Sequence, residues 1–277
     1  MHEWPLLIFT LLLQGSVGLT LMLTFALCAD RRRFNRRVLT TPNVMPTLWV
    51  ICIMGGLGLL ASVFHLGYPL NAFNALRHVS SSWLSREIVF ASLFLGCAGL
   101  GLLLGLFKTG LWRGLVPLAL LAGLIDVYCM GAIYMHTSVV TWMHVNTAIM
   151  FFGSVAIVGP VLGIALLPAE AIKKASLLTW APVIAIAAVV VRLLAQPSLM
   201  AWLNEAAMSD ALTFPHQPLA AFSASASLRL TGWCLSAVGA LLFACGGFKA
   251  RRGWLLAGGA LLLLAEVLLR LTFFSIR

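Results

Sequence analysis

The stretch EIVFASLFLGCAGLGLLLGLF, residues 87–107, decides the fold class. After Glu87 come twenty residues without a formal charge, and Ser92 is the one hydroxyl among them. A run of about 20 mostly apolar residues is what an α-helix needs to cross the hydrocarbon core of a bilayer. The run does not alternate between apolar and polar residues, which excludes a barrel strand. In hydrocarbon, only a helix satisfies every backbone N–H and C=O within a single segment.

Working outward, the pattern repeats along the sequence. Breaks at polar and Gly/Pro clusters leave eight expected spans: Leu6–Ala29, Val44–Tyr68, Glu87–Phe107, Leu115–His136, His144–Leu167, Leu177–Gln196, Leu228–Gly247 and Trp254–Phe274. The expectation is an all-α polytopic integral membrane protein forming one membrane domain over residues 1–277. With 61% hydrophobic and 9% charged residues, the protein lacks the polar surface a soluble domain of this size requires. Met1-His-Glu-Trp4 carries no basic stretch ahead of the first run, which leads into the stop-transfer cluster Arg31-Arg-Arg-Phe-Asn-Arg-Arg37. No removable signal peptide is therefore expected.

The net charge of +10 sits in short loops and points to anionic lipid rather than nucleic acid. Loops after odd-numbered spans hold twelve bases, among them Arg31–Arg33, Lys108, Arg113, Lys173, Lys174 and Lys249. The other side holds four: Arg77, Arg86, Arg229 and Arg277. The positive-inside rule puts the first set in the cytoplasm and both termini in the periplasm of a bacterial inner membrane. The segment 197–227 reads as a long outer loop. The six cysteines show no CxxC spacing, so no metal is expected in this protein.

Ionisable residues within spans are functional suspects. On this map every histidine lies toward the outer side: His2, His65, His78, His136, His144 and His216. His136 and His144 read as interfacial side chains, and Arg192 as one that snorkels to the interface. Glu266 and Arg270 stand four apart and are expected to pair along one helix face. Asp126 is mid-span with no evident partner; protonation against a neighbouring helix and a place in a proton path both stay open.

His65 and Glu87 stand apart because one polar loop joins their helix ends. Residues 61–76, ASVFHLGYPLNAFNAL, put an imidazole at the edge of a turn marked by Gly67 and Pro69. Asn71 and Asn74 add neutral amides, and Ser85 is a candidate cap for the helix carrying Glu87. Imidazole, carboxyl and amide groups around an apolar slot suit a small aromatic redox ligand with two polar ends. A quinol fits, since its oxidation releases two protons and needs a base beside its hydroxyls.

The same segments closely resemble the membrane-anchor subunit of the anaerobic dimethyl sulfoxide reductase family, including its selenate-reductase-like paralogue. His2-Glu-Trp-Pro-Leu6 with Gln14, the run 61–76 and Leu84-Ser-Arg-Glu-Ile88 carry the likeness. Val140-Thr-Trp142, Phe151-Phe-Gly153, Gly159-Pro160 and Glu266…Arg270…Phe273-Phe274 echo it more weakly. The resemblance implies eight helices, no haem, and oxidation of menaquinol at His65 with Glu87 as companion. Gly67, Asn71, Asn74 and Ser85 would complete the quinol site. It further implies a four-cluster iron–sulfur subunit and a molybdopterin catalytic subunit as partners, with no activity from this protein alone. Two departures stand out: segment 197–227 is unlike the family's sequence there, and Arg86 replaces a commoner asparagine. A b-type cytochrome is disfavoured because no histidine is mid-span. A transporter is disfavoured because only Asp126 is charged near a midplane and no internal repeat is visible.

Overall fold

The computed structural model describes residues 4–32, 39–64, 74, 76–208 and 214–275. Among them, eight helices are long and apolar enough to cross a membrane. They are α1 (Trp4–Arg32), α2 (Thr41–Val63), α3 (Trp83–Leu106), α4 (Trp112–Met135), α5 (Asn146–Leu166), α7 (Leu177–Leu194), α10 (Ala226–Phe248) and α11 (Arg252–Ser275). The described residues also hold three shorter α-helices: α6 (Ala169–Lys174), α8 (Gln196–Met208) and α9 (Pro218–Ala224).

The first helix is the axis of the bundle. Its apolar window is 72% buried, against 33% for α2, α3 and α10, so it is enclosed while they form the rim. It packs on α2, α4, α5 and α11. The crossing with α5 is backbone against backbone: a Cβ on Gly18 would stand 2.7 Å from the Cα of Gly159. Such contacts replace the hydrophobic driving force that lipid does not supply between helices. The adjacent pairs α3–α4 and α10–α11 are closely packed antiparallel hairpins. Each first helix ends in a tight turn with a non-glycine residue in the left-handed region, Lys108 (φ 56°) and Ala250 (φ 51°). At the end of α10, the amide of Arg251 donates back to the Gly246 carbonyl at 2.8 Å, satisfying a helix-terminal acceptor. Lys174 pairs with the buried Asp30 at 2.7 Å, which ties α6 to the last turn of α1.

Helix ends depart from the sequence expectation where capping decides them. The second span was expected to reach Tyr68, but α2 closes at Val63. The third was expected to begin at Glu87; it begins at Trp83 because Ser82 supplies the cap, its hydroxyl accepting from the Ser85 amide at 3.4 Å. Among the described residues, segment 197–227, expected as a loop, holds two helices. After Ala195 the backbone runs on as α8, with Pro197 in its first turn, where a missing amide proton is tolerated. Leu199 and Leu203 of α8 pack against Phe222 of α9 as a small separate core. The Trp202 indole donates to the Val140 carbonyl at 3.1 Å, folding α8 over the α4–α5 connection.

Candidate functional site

Of the residues the sequence assigns to the site, His65, Gly67 and Asn71 lie outside the described residues. Asn74 is exposed, whereas Ser85 and Glu87 are buried at the head of α3. Ser85 is not the cap of that helix; it donates its amide to the cap and sits 1% exposed. A short 3-10 turn, Leu76–His78, leads into α3. Arg86 holds this approach in place. Its guanidinium donates to the carbonyls of Val79 (2.9 Å) and Ser80 (2.6 Å) and lies 4.3 Å from the centre of the Trp83 ring.

Trp83 sets the register between α3 and α4. Its ring meets Tyr128 edge-on at 5.7 Å and His136 at 5.5 Å. His136 in turn hydrogen-bonds the Ala132 carbonyl through Nδ1 at 2.8 Å. One helical turn in from Trp83, Glu87 is 7% exposed. On the facing helix Asp126 is fully buried, and neither of its oxygens has a hydrogen-bond partner among the described residues. The two carboxyl groups lie within electrostatic reach of each other, and both reach Cys129. Sequence reasoning left Asp126 without a partner because its neighbour lies on another helix.

A second polar group forms where α1, α5, α7 and α11 meet. Here Glu266 pairs with Arg192 of α7, and not with Arg270 as the i,i+4 spacing suggested. Arg192 is 1% exposed and does not snorkel. Gly153 makes room for it: a Cβ there would collide with the guanidinium. The guanidinium also donates to the Met150 carbonyl. Arg270 turns instead to the Gln14 side-chain oxygen at 2.6 Å and stacks 4.2 Å above the Phe151 ring. Ser154 joins the two halves. Its hydroxyl donates to Glu266 at 2.7 Å and accepts from Arg192 at 2.9 Å and Arg270 at 2.7 Å. That uses its one donor and both lone pairs. A cavity of ≈ 40 Å³ lies beside this group, lined in part by Trp142, Asn146, Gln196, Arg229, Thr272 and Phe273. The sequence signal for Gln14 and Ser154 is a hydrogen-bonding side chain inside an apolar run.

His144 is a clamp. Its Nδ1 accepts from the Asn146 amide at 3.1 Å, so the proton of the neutral ring is on Nε2, which faces the Ser198 hydroxyl at 3.2 Å. Partial burial lowers its pKa from 6.5 and favours that neutral form. Among the described residues no three His, Cys, Asp or Glu side chains gather as metal ligands would.

Comparison with known proteins identifies the family. Residues 1–276 match the family model described as DMSO reductase anchor subunit (DmsC). The protein is similar to the YnfH subunit of an anaerobic dimethyl sulfoxide reductase of Escherichia coli K12, 33% identical over 174 residues, or 62% of this sequence and 60% of that one. It is 34% identical to the C subunit of the anaerobic dimethyl sulfoxide reductase of Haemophilus influenzae over 170 residues, 60% of this sequence and 59% of the relative. It is 36% identical to the C subunit of the corresponding E. coli enzyme over 177 residues, 62% and 60% of the two. The matched region thus spans about three fifths of the length of these curated relatives. No solved structure matches.

Proposed function

Because the protein belongs to the DMSO reductase anchor subunit family, we propose that it oxidises menaquinol for a respiratory reductase. In this reading it anchors the complex in the bacterial inner membrane, with both termini periplasmic. Electrons pass to a four-cluster iron–sulfur subunit and then to a molybdopterin catalytic subunit. The anchor holds the quinol and moves its protons; by itself it reduces no acceptor.

The observation that carries the proposal is Glu87, a carboxyl group 7% exposed in the first turns of α3. A quinol presents hydroxyls on a flat apolar ring, so its site needs a base set in an apolar wall. Glu87 supplies the carboxyl, and Trp83 with Tyr128 and His136 of α4 supplies aromatic rings at the same helix head. His65 is the proposed partner base: a neutral imidazole accepts a hydrogen bond, then a proton, near neutral pH. Gly67, Asn71, Asn74 and Ser85 complete the proposed quinol-binding set. The outer-side location rests on the count of twelve bases against four.

The test is purification of the complex from membranes through a tag on the anchor. Iron–sulfur and molybdenum subunits should co-purify, and quinol-dependent acceptor reduction should be inhibited by quinol analogues. An anchor that purifies alone and sustains no quinol turnover in membranes would overturn the proposal.

A further inference from the structure

Asp126 is a carboxyl group with no role in the site as proposed so far. It is fully buried on α4, and neither oxygen has a hydrogen-bond partner among the described residues. An acid at this depth is expensive to keep unless something uses its proton. The buried cations of the bundle, and Arg86 at the head of α3, are engaged elsewhere. Arg192 is bound to Glu266, Arg270 to Gln14 and Ser154, and Arg86 to the carbonyls of Val79 and Ser80. Glu87 is the charged group within electrostatic reach of Asp126 across the α3–α4 contact.

The register explains the meeting. Trp83 touches Tyr128, and Glu87 lies four residues further into α3, about 6 Å along its axis. Asp126 is two residues, about 3 Å, further into the bundle from Tyr128 on the antiparallel helix, so the two residues lie within about 3 Å of one depth. The other ionisable groups near the pair on α3 and α4 are Arg86, Tyr128, Cys129 and His136. Of the helices packed on these two, α1 offers nothing ionisable before Cys28 and Asp30 at its far end. By sequence α2 offers only Cys52 and α5 nothing. Two buried carboxyl groups without a cation between them cannot both stay ionised, because the repulsion is not screened at that depth.

We infer that Asp126 and Glu87 form a proton-holding pair, sharing one proton at rest and taking up a second when quinol is oxidised. The inference rests on the quinol reading above. In the step, one quinol O–H bond breaks and its proton forms a new O–H bond on a carboxylate oxygen of the pair. The second proton goes to the other base of the site. The two electrons leave for the iron–sulfur centres of the partner subunit. The neutral pair then releases its extra proton outward and returns to its singly charged state. Asp126 is a positioning residue here: it sets how strongly Glu87 holds a proton.

The experiment uses the assembled complex in membranes, with Asp126→Asn, Asp126→Glu and Glu87→Gln. Dye-driven acceptor reduction scores assembly. Asp126→Asn should lower quinol kcat about tenfold or more, leave KM nearly unchanged, and move the acid limb of the pH profile to lower pH. That limb moves because Glu87 loses its like-charged neighbour. Asp126→Glu should restore both. Infrared spectra of the membranes give a readout that needs no turnover: the protonated-carboxyl band should change in either single variant, since the proton belongs to both groups. Unchanged quinol turnover in Glu87→Gln would overturn the quinol reading and this inference with it. Lost turnover in Glu87→Gln beside an unchanged rate, pH profile and carboxyl band in Asp126→Asn would overturn the pairing alone.

Discussion

Replacing Glu266 with glutamine should unfold this bundle more readily than any single change at the proposed quinol site. Glu266 accepts from both terminal nitrogens of Arg192 and from the Ser154 hydroxyl. Without it, two guanidinium groups, 1% and 2% exposed, remain among α1, α5, α7 and α11 with no counter-ion in that group. Removing one member of a buried pair costs about 3–5 kcal/mol, most of it the stranded charge. Glutamine keeps one acceptor oxygen but turns N–H donors toward a guanidinium that is all donor. Arg192→Leu combined with Glu266→Leu should be milder than Glu266→Gln, because Arg192→Leu removes one of the two stranded guanidinium groups. The assay is unfolding of the purified protein in mixed micelles, with the amount of folded protein in membranes as a second readout. A loss below about 1 kcal/mol for Glu266→Gln, or a double variant no more stable than the worse single one, would refute the reasoning.

Reporter fusions after Arg113, Lys174 and Arg252 should signal cytoplasm and fusions at Arg77 and Thr137 periplasm; a reversed pattern would undo the orientation drawn from the bases. Gly159→Leu should destabilise the bundle by about 1–3 kcal/mol, because its Cβ would stand 2.7 Å from the Gly18 Cα. Gly56→Ala, with nothing within 4 Å, should change little in the same unfolding assay. For His144, burial places the folded-state pKa below the ordinary 6.5. Its contribution to docking α8 is therefore complete above pH 6.5 and is lost as pH falls through the lower folded value. Hydrogen exchange of the α8 amides should accelerate across that acid range, and His144→Asn should abolish the pH dependence.

The spanning helices were legible because lipid imposes one rule on every segment: enough apolar residues, and no unpaired backbone. Residues 87–107 satisfy it with no help from tertiary context. The helices α8 and α9 were not legible, since QPSLMAWLNEAAM mixes polar and apolar residues below the threshold for a span. Their order comes from packing Leu199 and Leu203 against Phe222 and from bonds to the α4–α5 connection. The ionic pairing failed for a related reason. The i,i+4 rule sees one helix, and the partner Glu266 takes is 74 residues away. Glu87 stood out because it opens an apolar run. Asp126 was visible as a mid-span acid but without its neighbour, because the register set by Trp83 exists only once α3 and α4 are packed. A single hydroxyl decided the cap: Ser82 and Ser85 both suit an N-cap by type, and the path of the loop selects Ser82.

Binding of a fluorescent quinol-analogue inhibitor to membranes containing the assembled complex tests the central claim most directly. The titration compares the wild type with His65→Ala and Glu87→Lys, after dye-driven acceptor reduction has shown all three complexes to be intact. The account predicts saturable binding in the wild type, and its loss in both variants together with quinol turnover. Wild-type affinity and turnover retained in both variants would contradict it and remove the quinol from the head of α3.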